Sequence, residues 1–388
     1  MRKRTYALGL IVGIISITVF VVVFFVVIPQ VNQSNFQNVD VDLKFDGDNT
    51  YDSIQDQLNI GYRIPGTNES RDCVQYFISQ FLLIDTNFTY LYHNYTIHGV
   101  ECQNILFKMN PEQPNILILG SHYDSRAKAT KDDVHSDSPV PGANDGASSS
   151  AALIELARVL YNKRENLSCQ IWFIFFDAED QGYDLAYGID GWAWCEGSEA
   201  FVDEIHNFYN SSKESFDAMV LLDMIGGNFV QYINEQYSTS SLLDEIFQVG
   251  QKLGYTYAFP ESSISNSILD DHVAFINYGI PSADLIINFW NNPIWPYHHT
   301  IQDDITHISN QSLELTGKTI EQFIYNNYLN ISSIKNKGNY PWSFDFNVSD
   351  FTTILLIGII VIGVIGTGIY IYIKITKSKE NLGNKFKR

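Results

Sequence analysis

The stretch Asn115-Ile116-Leu117-Ile118-Leu119-Gly120-Ser121-His122-Tyr123-Asp124 decides the fold. Its short apolar run, bounded by Pro114 and Gly120, has the length and flanks of a strand buried on both faces. Polar residues come immediately after it, and in open α/β sheets ligands gather at the carboxyl ends of the strands. The same pattern recurs along the chain. Ile171 to Phe176 runs into Asp177-Ala178-Glu179-Asp180, Met219 to Leu222 runs into Asp223, and Ala283 to Ile287 is a further buried run. Between them, Ser148 to Leu160 has helical spacing, with apolar residues at Ala152, Leu156, Val159 and Leu160. Ser53 to Ile84 is helical around a loop at Arg63-Ile64-Pro65-Gly66-Thr67, and Tyr90 to Tyr92 and Asn104 to Phe107 are strand-like. Buried strands alternating with helices predict an α/β fold with a mixed, largely parallel sheet flanked by helices on both faces.

The residues behind each run carry the chemistry. His122 has Asp124 two positions later, a carboxylate able to orient an imidazole. Pro141-Gly142-Ala143-Asn144-Asp145-Gly146-Ala147-Ser148 places Asp145 in a glycine-rich turn just before the helix. Three carboxylates within Asp177 to Asp180 are costly at a buried strand end unless a cation or proton compensates them. One can bind metal while its neighbour acts as general base. Asp223 adds another carboxylate, and Pro296-Tyr297-His298-His299-Thr300 adds adjacent histidines, of which one is expected to face a metal. Singly, these have ordinary readings: a satisfied core histidine, a helix cap, a solvated acidic turn. Together, His122, one histidine of the His298-His299 pair, Asp145, Asp223 and a carboxylate of the Asp177–Asp180 turn make an N/O set suited to catalytic zinc, Zn2+. Two ions about 3.5–4 Å apart could share Asp145.

Two segments depart from globular composition. Residues 6–28 and 351–374 are nearly continuous apolar runs, each long enough to cross a hydrocarbon core roughly 30 Å thick. The first is too long for a cleaved signal and lacks a small-residue cleavage site. Basic residues flank the outer end of each, so both termini are expected in the cytoplasm. The expected order is a cytoplasmic N-terminus (1–5), a transmembrane helix (6–28), a stalk (29–50), the catalytic domain (51–335) and a linker (336–350). A second transmembrane helix (351–374) and a basic cytoplasmic tail (375–388) complete it. The catalytic domain then lies outside the cytoplasm, with the lipid bilayer as a partner. A net charge of −20, with basic residues concentrated at the two ends, argues against nucleic acid. Nine Asn-x-Ser/Thr sequons lie between the spans, as in a glycoprotein. Cys73, Cys102, Cys169 and Cys195 form no CxxC pair, so they read as one or two disulfides or as buried thiols.

The ordered set His-x-Asp, Gly-Ala-Asn-Asp-Gly-Ala-Ser, Asp-Ala-Glu-Asp, Leu-Leu-Asp-Met-Ile-Gly and His-Thr-x-x-Asp resembles the M28 zinc peptidase family. The likeness runs from about Ser53 to Tyr328. That family includes aminopeptidases and glutaminyl-peptide cyclotransferases, both acting on peptide N-termini. The resemblance implies that Asp145, Asp180 and His299 hold one zinc, and that His122 and Asp223 complete a second site. It makes Asp124 the residue that orients His122, and Glu179 the general base. Glu179-Asp180 stands where many members have Glu-Glu. The extra acid in Asp270-Asp271-His272, and the insert Arg126 to Val140, are similar to cyclase-like members. There the acid matching Asp270 positions the substrate. His298 departs from the aromatic residue usual before the ligand histidine, leaving Trp295, Trp194 or Trp192, with His298 itself, to wall the substrate. The expectation is a cyclotransferase acting on N-terminal Gln, with an aminopeptidase as the alternative and a non-catalytic receptor ectodomain as the third reading.

Overall fold

The computed structural model of the chain describes residues 42–184, 187–189, 191–290, 292–329 and 375. Six strands form one sheet: β1 (Thr89–Ile97), β2 (Val100–Met109), β3 (Asn115–His122), β4 (Gln170–Phe176), β5 (Ser215–Leu222) and β6 (Ser282–Leu285). Their order across the sheet is β1-β2-β4-β3-β5-β6. β4, β3, β5 and β6 run parallel, while β2 pairs antiparallel with β4 and with β1. The hairpin between β1 and β2 turns on His98 and Gly99, both at positive φ, as a tight two-residue connection requires.

Seven helices accompany the sheet among the described residues: α1 (Gly47–Ile60), α2 (Asn68–Ile84), α3 (Ala147–Tyr161), α4 (Glu196–Asp203), α5 (Ser240–Lys252), α6 (His272–Tyr278) and α7 (Asn310–Tyr328). Alternate strand residues enter two separate cores. Leu117, Leu119, Phe173 and Phe175 pack with Ile54, Phe77, Leu156, Leu242 and Phe323 from α1, α2, α3, α5 and α7. Ile116, Ile118, Trp172 and Ile174 pack with Phe201 and Phe275 from α4 and α6. Coverage of both faces is why β3 and β4 read as unbroken apolar runs rather than alternating ones.

The expected stalk ends earlier than residue 50. Asp46 caps α1, accepting from the N–H groups of Asp48 and Asn49, and Phe45 is only 2% exposed. Its ring lies over Gly317 of α7, and the Lys44 and Phe45 N–H groups both donate to Glu321. The polar composition there reflects a helix cap and one solvated helix face, not a tether. All four cysteines are free and buried, on elements that do not bring them together, so no disulfide forms. Among the described residues no helix is long and apolar enough to cross a membrane. The expected spans 6–28 and 351–374 lie outside the described residues. So do 1–5, 29–41, 330–350 and the tail other than Ile375.

Replacing Phe45 with Ala should therefore cost about 3–5 kcal/mol, the usual penalty for emptying a buried aromatic site. A true stalk position would cost within about 0.5 kcal/mol. Urea unfolding of the wild type and the variant separates these cases.

Candidate active site

Neighbouring parallel strands deliver the first candidate ligands. The register pairs His122 with Phe176 across β3 and β4, and Gly120 with Leu221 across β3 and β5. His122, the Asp177–Asp180 turn and Asp223 therefore emerge side by side at the carboxyl edge. Ala178 at positive φ turns the chain directly after β4.

Asp145 reaches the same point from the loop before α3. A Cβ on Gly146 would fall 2.6 Å from the His122 ring, so only glycine lets this turn press so closely against it. Arg63, fully buried, holds the loop by donating to the carbonyls of Tyr123, Pro141 and Gly142. Asp303 receives the N–H groups of Asn144 at 2.8 Å and Asp145 at 3.1 Å. Asp145 then lies between two donor groups. Its Oδ1 is 3.1 Å from His122 Nε2, which is itself 3.2 Å from Asp223 Oδ1. Its Oδ2 is 3.7 Å from His299 Nε2, and His299 Nε2 is 2.8 Å from Asp180 Oδ1. The five expected metal ligands are thus in one place, with Asp145 bridging the pairs.

Asp124 does more than accompany His122, whose Nδ1 is 3.4 Å from it. It accepts from the N–H groups of Glu179 and Asp180 and from the side chain of Gln181, so it fixes the turn that carries Glu179. His298 corrects the expectation of one inward histidine. Its ring stacks on His299 at 3.6 Å, and its Nε2 is 3.8 Å from Asp145 Oδ2. Residues 296–300 form a turn with His299 at positive φ, not a strand, and that geometry lets both rings face inward. Trp194 stacks on His299 with 12° between the planes. Trp295 is instead 2% exposed, edge-on to Tyr297 and against Gly227, a supporting core residue rather than a substrate wall. Trp192 packs on His98. Phe289, 4.3 Å from the His298 ring, takes part of the place assigned to tryptophan.

Several residues were not singled out by the sequence. Arg126 donates to the carbonyls of Asp180 and Gly182 and lies over the Trp194 ring. Lys131 meets His298 Nδ1. The insert from Arg126 to Val140 thus buttresses the site. Asp303 was visible as the last residue of His-Thr-x-x-Asp, without a role.

The electrostatics follow from burial. Burial pushes the carboxyls of Asp180 and Glu179 well above the usual range, and Asp145 pushes Asp180 further. Burial acts against charge on His122, but Asp124, Asp145 and Asp223 together hold it well above an ordinary imidazole. Burial holds His298 and His299 neutral. Asp180 Oδ2 is buried with no hydrogen-bond partner among the described residues. A divalent cation bound by N and O donors would complete this set of crowded carboxylates, neutral imidazoles and an orphaned oxygen. Asp145 with His298 and His299, and His122 with Asp145 and Asp223, are each close enough together to hold one, and Asp180 Oδ1 lies 2.8 Å from His299 Nε2 beside the first group.

Comparison with known proteins agrees. The model of Peptidase family M28 matches residues 104–324, which is 221 of the 388 residues. The chain belongs to this family. It is an M28 enzyme related to both glutaminyl cyclases and aminopeptidases. It is 29% identical to aminopeptidase YwaD of Bacillus subtilis, over 58% of this chain and 44% of that protein. It is 27% identical to the glutaminyl-peptide cyclotransferase of Bos taurus, over 57% of this chain and 65% of that one. The chain thus spans less than two thirds of either relative. Among solved structures it superposes on Bacteroides thetaiotaomicron glutaminyl cyclase bound to N-acetylhistamine with a TM-score of 0.66 and 29% identity. The match covers 73% of this chain and 99% of that one. A leucine aminopeptidase precursor from the same organism gives 0.66 and 30%, covering 74% and 99%.

M28 membership leaves Asp270 to be positioned, and a buried pair does this. His272 Nε2 lies 3.0 Å from Glu235, which also accepts from the N–H groups of Tyr237, Ser238 and Ile268. Burial would raise the Glu235 carboxyl, but His272 and these N–H groups outweigh it and hold it at about 2, against 4.5 when free. A carboxyl depressed on folding contributes stability that is complete above its free value and is lost as pH falls toward its folded one. Stability should therefore decline between pH 4.5 and 2. Glu235→Gln should flatten that part of the profile, as measured by urea midpoints in acid.

Proposed function

We propose that this chain is a membrane-anchored, zinc-dependent glutaminyl-peptide cyclotransferase, converting N-terminal Gln of peptides to pyroglutamate with release of ammonia. The observation that carries this reading is the place of Asp270. It is buried in the site, with a carboxylate oxygen within 4.8 Å of one from Glu179. Burial, and then Asp223, push its carboxyl to about 7, so near neutrality it can hold or accept a proton.

Asp145, Asp180 and His299 would hold the zinc, with His122 and Asp223 available for a second ion. When bound, zinc supplies a Lewis acid that polarises the substrate's side-chain carbonyl. Glu179, held by Asp124 through its N–H, takes a proton from the α-amine as that nitrogen attacks the side-chain carbon. It returns a proton to the nitrogen that leaves as ammonia. Asp270 holds the amine end, and Trp194, Phe289 and His298 wall the cleft against water.

Aminopeptidase action is the second reading, favoured by the complete His122, Asp145 and Asp223 group. Glu179 would then deprotonate the water that attacks the first peptide bond. A receptor without catalysis would have no need to keep the base and every ligand in place.

The apolar segments 6–28 and 351–374 support anchoring with the catalytic domain outside the cytoplasm. The sequon asparagines Asn68, Asn87, Asn94, Asn166 and Asn210 are exposed, as glycosylation there requires.

The test supplies the purified protein with Gln-peptides and with amino-acid anilides. Pyroglutamate should form from the first. Free amino acids without pyroglutamate would sink the cyclase reading in favour of the peptidase. Glu179→Gln should lower kcat roughly 10²–10⁴-fold while zinc content is retained. Undiminished turnover in that variant excludes Glu179 as the base.

A further inference from the structure

One polar side chain beside Glu179 takes no part in the proton transfers of either reaction. Cys195 precedes α4 in the left-handed conformation, with φ 60°, and is 2% exposed. Its Sγ donates to Glu179 Oε1 at 3.4 Å, and its N–H donates to the Glu179 carbonyl at 3.0 Å. Burial, and then Glu179, Asp271 and Asp270, keep the thiol protonated, a weak donor that orients the base without neutralising it.

The surroundings of this thiol are those of a ligand set. The sulfur, one oxygen of Glu179 and one of Asp270 lie within 4.8 Å of one another, all buried. Asp270 Oδ2 has no hydrogen-bond partner among the described residues, although Asp270 is only 3% exposed. The pairs built around Asp145 contain nitrogen and oxygen only. This trio adds a sulfur, and soft thiolate ligands favour thiophilic cations over magnesium or calcium.

We propose that Cys195, Glu179 and Asp270 form a separate, inhibitory site for a thiophilic divalent cation, such as cadmium or zinc beyond that held around Asp145. Binding exchanges the thiol proton, released to solvent, for a cation–sulfur bond, with no change of oxidation state. The cation then occupies the Glu179 oxygen that the reaction requires, so turnover stops while the Asp145 ligand set stays filled. The inhibitory effect, though not the site itself, rests on Glu179 being the base.

The experiment titrates cadmium into the full-length, zinc-loaded protein. Cadmium–thiolate charge-transfer absorption, turnover and retained zinc are monitored together. The wild type should gain the absorption to one equivalent in step with loss of turnover and without loss of zinc. Cys195→Ser and Cys195→Ala should lack the absorption. Relative to its own cation-free rate, each should need roughly tenfold or more cadmium for half-inhibition. Cys73→Ser, which removes a buried thiol elsewhere, should behave as wild type. Absence of the absorption, or equal sensitivity in the Cys195 variants, overturns the site. Absorption at Cys195 with undiminished turnover overturns the inhibitory role and, with it, Glu179 as base.

Discussion

Carboxylates drawn out of water by adjacent strand ends are the constraint on which the rest of this molecule turns. Because β4, β3 and β5 are parallel neighbours, Asp180, His122 and Asp223 must emerge together, and the loop before α3 brings in Asp145. Like charges this close and this buried repel at low dielectric. The chain answers in three ways. His122 Nε2 sits within about 3.2 Å of both Asp145 and Asp223, Arg126 lies against Asp180, and burial keeps His298 and His299 neutral. The residual demand for positive charge suits the site to a cation.

The scaffold is devoted to keeping Asp145 where repulsion would expel it. Asp303 takes its N–H, Arg63 clamps the loop carbonyls, and Gly146 permits contact with His122. Asp124 does the same for Glu179 and Asp180 through their N–H groups. Carboxylates that accept backbone N–H groups thus hold other carboxylates, and the cost of burying them is met by hydrogen bonds from the turns themselves.

Much of this was legible because a strand buried on both faces has to be a short apolar run. In a parallel sheet, the residues just past the end of such a run sit at the carboxyl edge. His122, Asp223 and the Asp177–Asp180 carboxylates were found on that ground, and the choice of Asp180 among them rested on the family resemblance. Asp145 and His299 lie on loops, so their convergence rested on family resemblance and was then seen in the distances. Phe45 was misplaced because a capped helix with one wet face is as polar as a tether. Trp295 was misplaced because an aromatic near ligands looks like a wall, whether its ring faces the cleft or the core. Arg126 and Asp303 were seen only as the edge of an insert and the end of a motif, without roles, because a residue that holds backbone carbonyls or N–H groups shows no periodicity. Only the fold reveals which loops it ties together.

The ligands themselves do not choose between cyclisation and hydrolysis, since the same donors and the same base serve both. The choice must lie in groups that touch Glu179 without touching the ligand set. Hydrolysis needs a water at the base, whereas cyclisation needs that space held for the substrate's own amine. Asp270 and Cys195 both lie against Glu179. An acid that is half-protonated near neutral pH can hold an amine nitrogen, and a thiol is a poor host for water. Together they make the surroundings of Glu179 more suited to an amine than to a hydrolytic water, and the proposed cyclisation rests on that difference.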